Sequence, residues 1–143
     1  MDYLKAINKL LPNWRGAVWN NSYEGIKPDI SETRPNPTLA ELEAVWIEIE
    51  AEELPKRLRA EIVIAVQLHM DTTAQTRNYD NIHTLSSYEV SIDQTFKAEG
   101  TAGRKWRDNV WIICRQILED VQQGLRPMPT VAEVLAELPN IEW

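Results

Sequence analysis

Few side chains in this sequence are of the kinds that do chemistry, and their spacing suits it poorly. The nitrogen and sulfur ligands are His69, His83 and Cys114. No two of them stand at His-x-x-x-His or Cys-x-x-Cys spacing, so no structural or catalytic zinc site is expected. Cys114 falls inside an apolar helical stripe, where burial raises a thiol's pKa and blunts it as a nucleophile. Ser86-Ser87 lies close to His83 in the chain but lacks the Gly-x-Ser-x-Gly elbow that would expose a serine. The carboxylates gather between Glu41 and Glu53 on an amphipathic pattern, which reads as a solvated helix face. The five glycines are scattered and none opens a phosphate loop. The expectation is a protein with no catalytic residue, no metal and no cofactor.

What remains is tryptophan. Six in 143 residues is many. Trp46 and Trp106 fall on apolar helical stripes and are expected to be structural. Trp111 sits at the margin of its stripe. Trp14, Trp19 and Trp143 lie in segments without strong periodicity, as does Tyr23. Tryptophan is the residue found most often at binding hot spots, so these rings are read equally as core plugs and as partner contacts. The candidate partner-binding set is Trp14, Trp19, Tyr23, Trp111 and Trp143.

These residues must be positioned by a mainly α fold. Met1 to Leu11 has Leu4, Ile7, Leu10 and Leu11 at helical spacing, and Pro12 ends it. Asn13 to Asn36 holds two prolines, two glycines and Asn20-Asn21; it predicts an irregular arm, with Arg15–Trp19 and Tyr23–Ile26 as short strands or extended pieces. Thr38 followed by Glu41 is a capping box, opening a helix to about Glu53. Leu54-Pro55 predicts a break and a third helix from Pro55 to Arg77. That helix is apolar nearly all round, a pattern that belongs in the centre of a bundle or in an oligomer seam. Asn78 to Ser91 predicts a short helix and a loop. A long helix is expected within Asp93–Gln123, weakened early by Gly100 and Gly103 and stopped by Gly124. A second capping box, Thr130 with Glu133, opens a last short helix that Pro139 closes. The whole is a small bundle of about five helices, with residues 1–37 as helix and arm and 38–143 as the helical domain.

Composition narrows the function classes. Hydrophobic residues make up 43% and charged residues 26%, an ordinary globular balance. Acidic residues outnumber basic ones by 22 to 15, for a net charge of −7. No basic stripe is available to neutralise phosphates, so neither nucleic acid nor an anionic membrane is an expected partner. No apolar run approaches the length of a membrane span. A single cysteine cannot form an internal disulfide, and the reading is a protein that folds in a cytoplasm.

One series of motifs resembles a known group. It runs Asn78-Tyr79-Asp80-Asn81-Ile82, Ser86-Ser87-Tyr88, Phe96-Lys97-Ala98-Glu99-Gly100, Trp106-Arg107-Asp108-Asn109-Val110-Trp111, then Arg126-Pro127-Met128-Pro129-Thr130 and Leu135 to Pro139. In this order it is similar to the C-terminal region of small proteins encoded near the tail-fibre genes of tailed bacteriophages. The resemblance covers about Ala65 to Trp143. It implies a helical accessory protein that binds a phage tail-fibre protein in the host cytoplasm and assists its folding or attachment. The alternative it implies is a permanent accessory of the fibre or baseplate, retained in the virion tail. A small hydrolase or lysis factor ranks last. Arg107 and Asp108 are expected to make helix-surface or inter-helix pairs, with a direct fibre contact by Arg107 as the sharper alternative.

Overall fold

The computed structural model describes residues 1–143. The fold is mainly α, 63% helical, with a single two-stranded sheet. In chain order the elements are α1 (Tyr3–Leu10), β1 (Gly16–Val18), β2 (Ile26–Pro28), α2 (Leu39–Gln75), α3 (Ile82–Ser87), a 3₁₀ turn (Tyr88–Val90), α4 (Gln94–Gln122) and α5 (Val131–Glu137). The chain divides into two compact units, Met1–Lys56 and Arg57–Trp143. α2 gives its first part to one and the remainder to the other.

The expected break at Pro55 does not occur. α2 continues through it for 37 residues. Proline removes one donor, the bond to the carbonyl four residues back. Here Ala51 and Pro55 are both exposed, so the freed carbonyl faces solvent and the loss is tolerable. The expected boundary at residue 37 also moves. Leu42 and Ile49 of α2 are buried against α1 and the hairpin, with Val45 and Trp46 packed on them. The beginning of α2 therefore forms part of the first core.

That first unit is built around Ala6, Ile7, Trp14, Ile26, Leu42 and Ile49. Asp2 caps α1, its carboxylate accepting from the Lys5 amide at 3.0 Å. β1 and β2 pair antiparallel in the register Gly16↔Pro28, Ala17↔Lys27, Val18↔Ile26. Asn20 and Asn21, in the loop between them, adopt positive φ, a conformation asparagine tolerates. Asn21 also ties that loop to α1: its side chain accepts from the Tyr3 amide and donates to the Met1 carbonyl, both at 3.0 Å. Glu32 anchors the segment after β2. Its carboxylate accepts from the Arg34 guanidinium at 2.8 Å through each oxygen and from the Arg15 amide at 2.9 Å. These bonds hold its carboxyl far below the ordinary carboxylate range.

The second unit is a helical bundle around Val66, Met70, Ala74, Tyr79, Ile82, Leu85, Trp106, Val110, Ile117 and Val134. Asn81 caps α3, Asp93 caps α4 and Thr130 caps α5, each through a side-chain oxygen. Gly100 and Gly103 do not weaken α4; they are where its neighbours approach. A methyl at Gly100 would lie 2.3 Å from the Glu89 amide nitrogen, and one at Gly103 would lie 2.5 Å from Leu85 Cγ. Gly124 takes φ +72°, the left-handed stop that ends α4.

Candidate functional site

The tryptophans expected to be structural are so placed. Trp106 is buried at the heart of the second unit, its Nε1–H donating to the Pro139 carbonyl at 2.6 Å. The His69 ring meets it edge-on at 5.8 Å between centroids. Trp46 packs partly buried on the first core. Both capping boxes form. The Thr38 and Thr130 amides donate at 2.7 Å to Glu41 and Glu133, whose amides donate back to the threonine hydroxyls at 3.3 Å. These bonds lower both glutamates' pKa. Arg107 pairs with Asp108 at 3.2 Å on the surface of α4.

The five candidate contact residues divide. Trp14 is 7% exposed and belongs to the first core, so of its two expected roles it takes that of core plug and is removed from the candidate contacts. Gly16 makes this possible, because a side chain there would strike the Trp14 ring at 2.3 Å. Trp14 Nε1 is buried without a hydrogen-bond partner. Tyr23 is half-buried on the same core, its hydroxyl donating to the Pro37 carbonyl at 3.3 Å. Trp111 is half-buried against the second core. Trp19 and Trp143 remain in solvent, 64% and 43% exposed.

Trp19 follows β1 at the start of the hairpin loop. Its amide donates to the Gly25 carbonyl at 2.9 Å, which closes that loop, and its indole lies on the outside of the first unit. Trp143 is held differently. The Arg77 guanidinium lies 4.6 Å from the centre of its ring. Arg77 in turn donates to Glu99 at 2.7 Å, and Tyr79 donates to the other oxygen of Glu99 at 2.6 Å. Burial and the Glu99 carboxylate push the Tyr79 hydroxyl up to about 12.

Two concavities lie in the second unit. One is an apolar groove of about 280 Å³ between Ile62 and Val63 of α2, Trp111 and Leu118 of α4, and Pro129 and Val134. The other is a more polar cleft of about 680 Å³, bordered by Lys97, Thr101, Lys105, Asn109, Asn140 and Trp143. Neither gathers acid–base machinery. Cys114 borders the groove, but burial raises its thiol pKa, so little thiolate forms near neutral pH. The Ser86 and Ser87 hydroxyls each donate to a backbone carbonyl at 2.7 Å, from Ile82 and Thr84 respectively. No three His, Cys, Asp or Glu side chains come together as a metal site. No helix is long and apolar enough to cross a membrane.

Exposed apolar side chains that the sequence reading did not single out include Ile47, Leu54, Ile64 and Leu68 of α2, Val90 and Ile92 before α4, and Phe96 in its first turn. Ile64 and Leu68 had a signal, the nearly all-round apolar character of the third helix expected after Pro55. Val90 and Ile92 lie outside any helical period and carried none. No family model, curated protein or solved structure matches the chain.

Proposed function

We propose that this protein is a non-catalytic binding protein, an assembly chaperone that grips a bacteriophage tail-fibre protein in the host cytoplasm and assists its folding or attachment. The observation that carries a binding role is Trp19: a large indole, 64% exposed, at the start of a closed hairpin loop. A large exposed ring gains much by leaving water on docking, which is why tryptophan is frequent at interface hot spots. The fibre as partner follows from the resemblance of the Tyr79 to Thr130 motifs. Fibre chains rich in β-structure pair non-locally and expose apolar edges as they fold, so an apolar anchor on a negatively charged carrier is suited to holding them in solution.

Co-expression with the neighbouring fibre chain, followed by a pull-down, tests this reading. Trp19→Ala is expected to abolish co-purification while helical circular dichroism is unchanged. Undiminished capture by the variant would remove Trp19 from the contact, and no capture by the wild type would overturn the fibre reading. Protein analysis of purified virions distinguishes a chaperone that departs, absent from the particle, from a permanent accessory of the fibre or baseplate.

A further inference from the structure

The hairpin of the first unit has one edge whose backbone groups pair with nothing. The Trp19 amide donates to the Gly25 carbonyl and the Asp29 amide to the Arg15 carbonyl, each at 2.9 Å. With the register Ala17↔Lys27, these bonds fix the alternation along β1. Ala17 turns its N–H and C=O toward β2, whereas Gly16 and Val18 turn theirs away. No backbone or side-chain group elsewhere in the chain bonds to Gly16 or Val18. Gly16 and Ala17 are exposed and Val18 is half-buried. The opposite edge offers no donor: the Ile26 amide is taken by the Tyr23 carbonyl at 3.2 Å, and Pro28 has no N–H.

Donors and acceptors at strand spacing are complementary to an extended backbone, and the side chains beside them select which one. Residues alternate across a strand, so Trp14 and Val18 face the first core while Arg15, Ala17 and Trp19 share the outer face. Arg15 makes no ion pair within the chain. We propose that β1 accepts an extended segment of the partner protein as a third, antiparallel strand, bonded to the N–H and C=O of Gly16 and of Val18. Read from its N-terminus at every second position, that segment sets an apolar side chain beside Trp19, a bulky one over the small Ala17 and a carboxylate beside Arg15. The proposal rests on the reading of Trp19 as a partner contact and states what is gripped: an unpaired β-strand, which a chain rich in β-structure exposes as it folds.

A blocked synthetic peptide of alternating valine and threonine, with glutamate in the last valine position, is the probe. Titrated into the full, isotope-labelled chain and followed by nuclear magnetic resonance, it is expected to slow amide exchange at Gly16 and Val18 about tenfold. Ala17, already bonded to Lys27, should not change. Methylating alternate amide nitrogens of the peptide, on the edge that faces β1, keeps every side chain and removes the donors; binding should be lost. Trp19→Ala and Arg15→Glu are each expected to weaken binding about tenfold, and a peptide with lysine in place of the glutamate should recover affinity for Arg15→Glu. No binding at millimolar peptide would overturn the proposal. So would binding that leaves exchange at Gly16 and Val18 unaltered, a methylated peptide that binds as tightly, or a lysine peptide no better than the glutamate one on Arg15→Glu. Protection of both amides in the free chain, together with sedimentation at twice the 16.5 kDa chain mass, would give the edge to a second copy and overturn it as well. The fibre reading fails separately: a fibre chain that is not captured while the peptide binds removes that partner and leaves the edge in place.

Discussion

Gly100→Ala sets two effects of opposite sign against each other. In an exposed helix the exchange would stabilise by about 1 kcal/mol, because glycine loses more backbone freedom than alanine. In this protein the added methyl would stand 2.3 Å from the Glu89 amide nitrogen and 2.4 Å from the Tyr88 carbonyl carbon. That is about an ångström inside ordinary contact. Both obstacles are backbone, so no rotamer change relieves them and the 3₁₀ turn must move off α4. That movement would strain the Arg104–Glu89 ion pair and the Tyr79–Tyr88 ring contact, whose centroids are 5.3 Å apart. Overpacking typically costs about 1–3 kcal/mol, and a backbone obstacle places this case at the top of the range. The net loss is then about 2 kcal/mol, which lowers Tm by roughly 4–8 °C for a chain of this size. Thermal denaturation read by helical circular dichroism measures it, and amide exchange across residues 82–90 should quicken. Gly124→Ala is the control: nothing lies within 4 Å, and only its φ of +72° opposes the change. It should cost about 1 kcal/mol and leave exchange in that segment alone. A Tm for Gly100→Ala equal to or above the wild type would show that helix propensity wins and that the turn does not press on α4.

Trp106→Phe keeps an aromatic body but removes the donor to the Pro139 carbonyl, at 2.6 Å, and leaves a gap beside it. The expected loss is about 2 kcal/mol, read as a lower urea midpoint with the slope unchanged. Alkaline pH probes the Tyr79–Glu99 bond. The folded pKa of Tyr79 is raised from 10.0 to about 12, so its contribution is whole below 10 and is lost as pH rises through 12. Ultraviolet titration should show one tyrosine ionising well after the others. Tyr79→Phe should abolish that late step and flatten stability between the two values; a wild type whose tyrosines all ionise together would refute it.

Much of the fold was legible because its signals are local. Thr38 with Glu41 and Thr130 with Glu133 announce helix starts, and Pro12 and Gly124 announce ends, because each acts on backbone within one turn of itself. The stripe of Trp106, Val110 and Ile117 likewise states which face of α4 is buried.

Tertiary structure decided the rest, because the outcome depended on what distant segments bring. Pro55 was read as a break, yet α2 passes through it since the lost bond falls on an exposed face. Gly100 and Gly103 looked like weak points, but they admit the 3₁₀ turn and Leu85. Trp14 and Trp19 are indistinguishable by local pattern. Gly16, Ile7 and Leu42 close around the first, while the hairpin loop turns the second out to solvent. Residue type determines how much a ring gains by leaving water; only the packing of other segments determines whether anything is there to receive it.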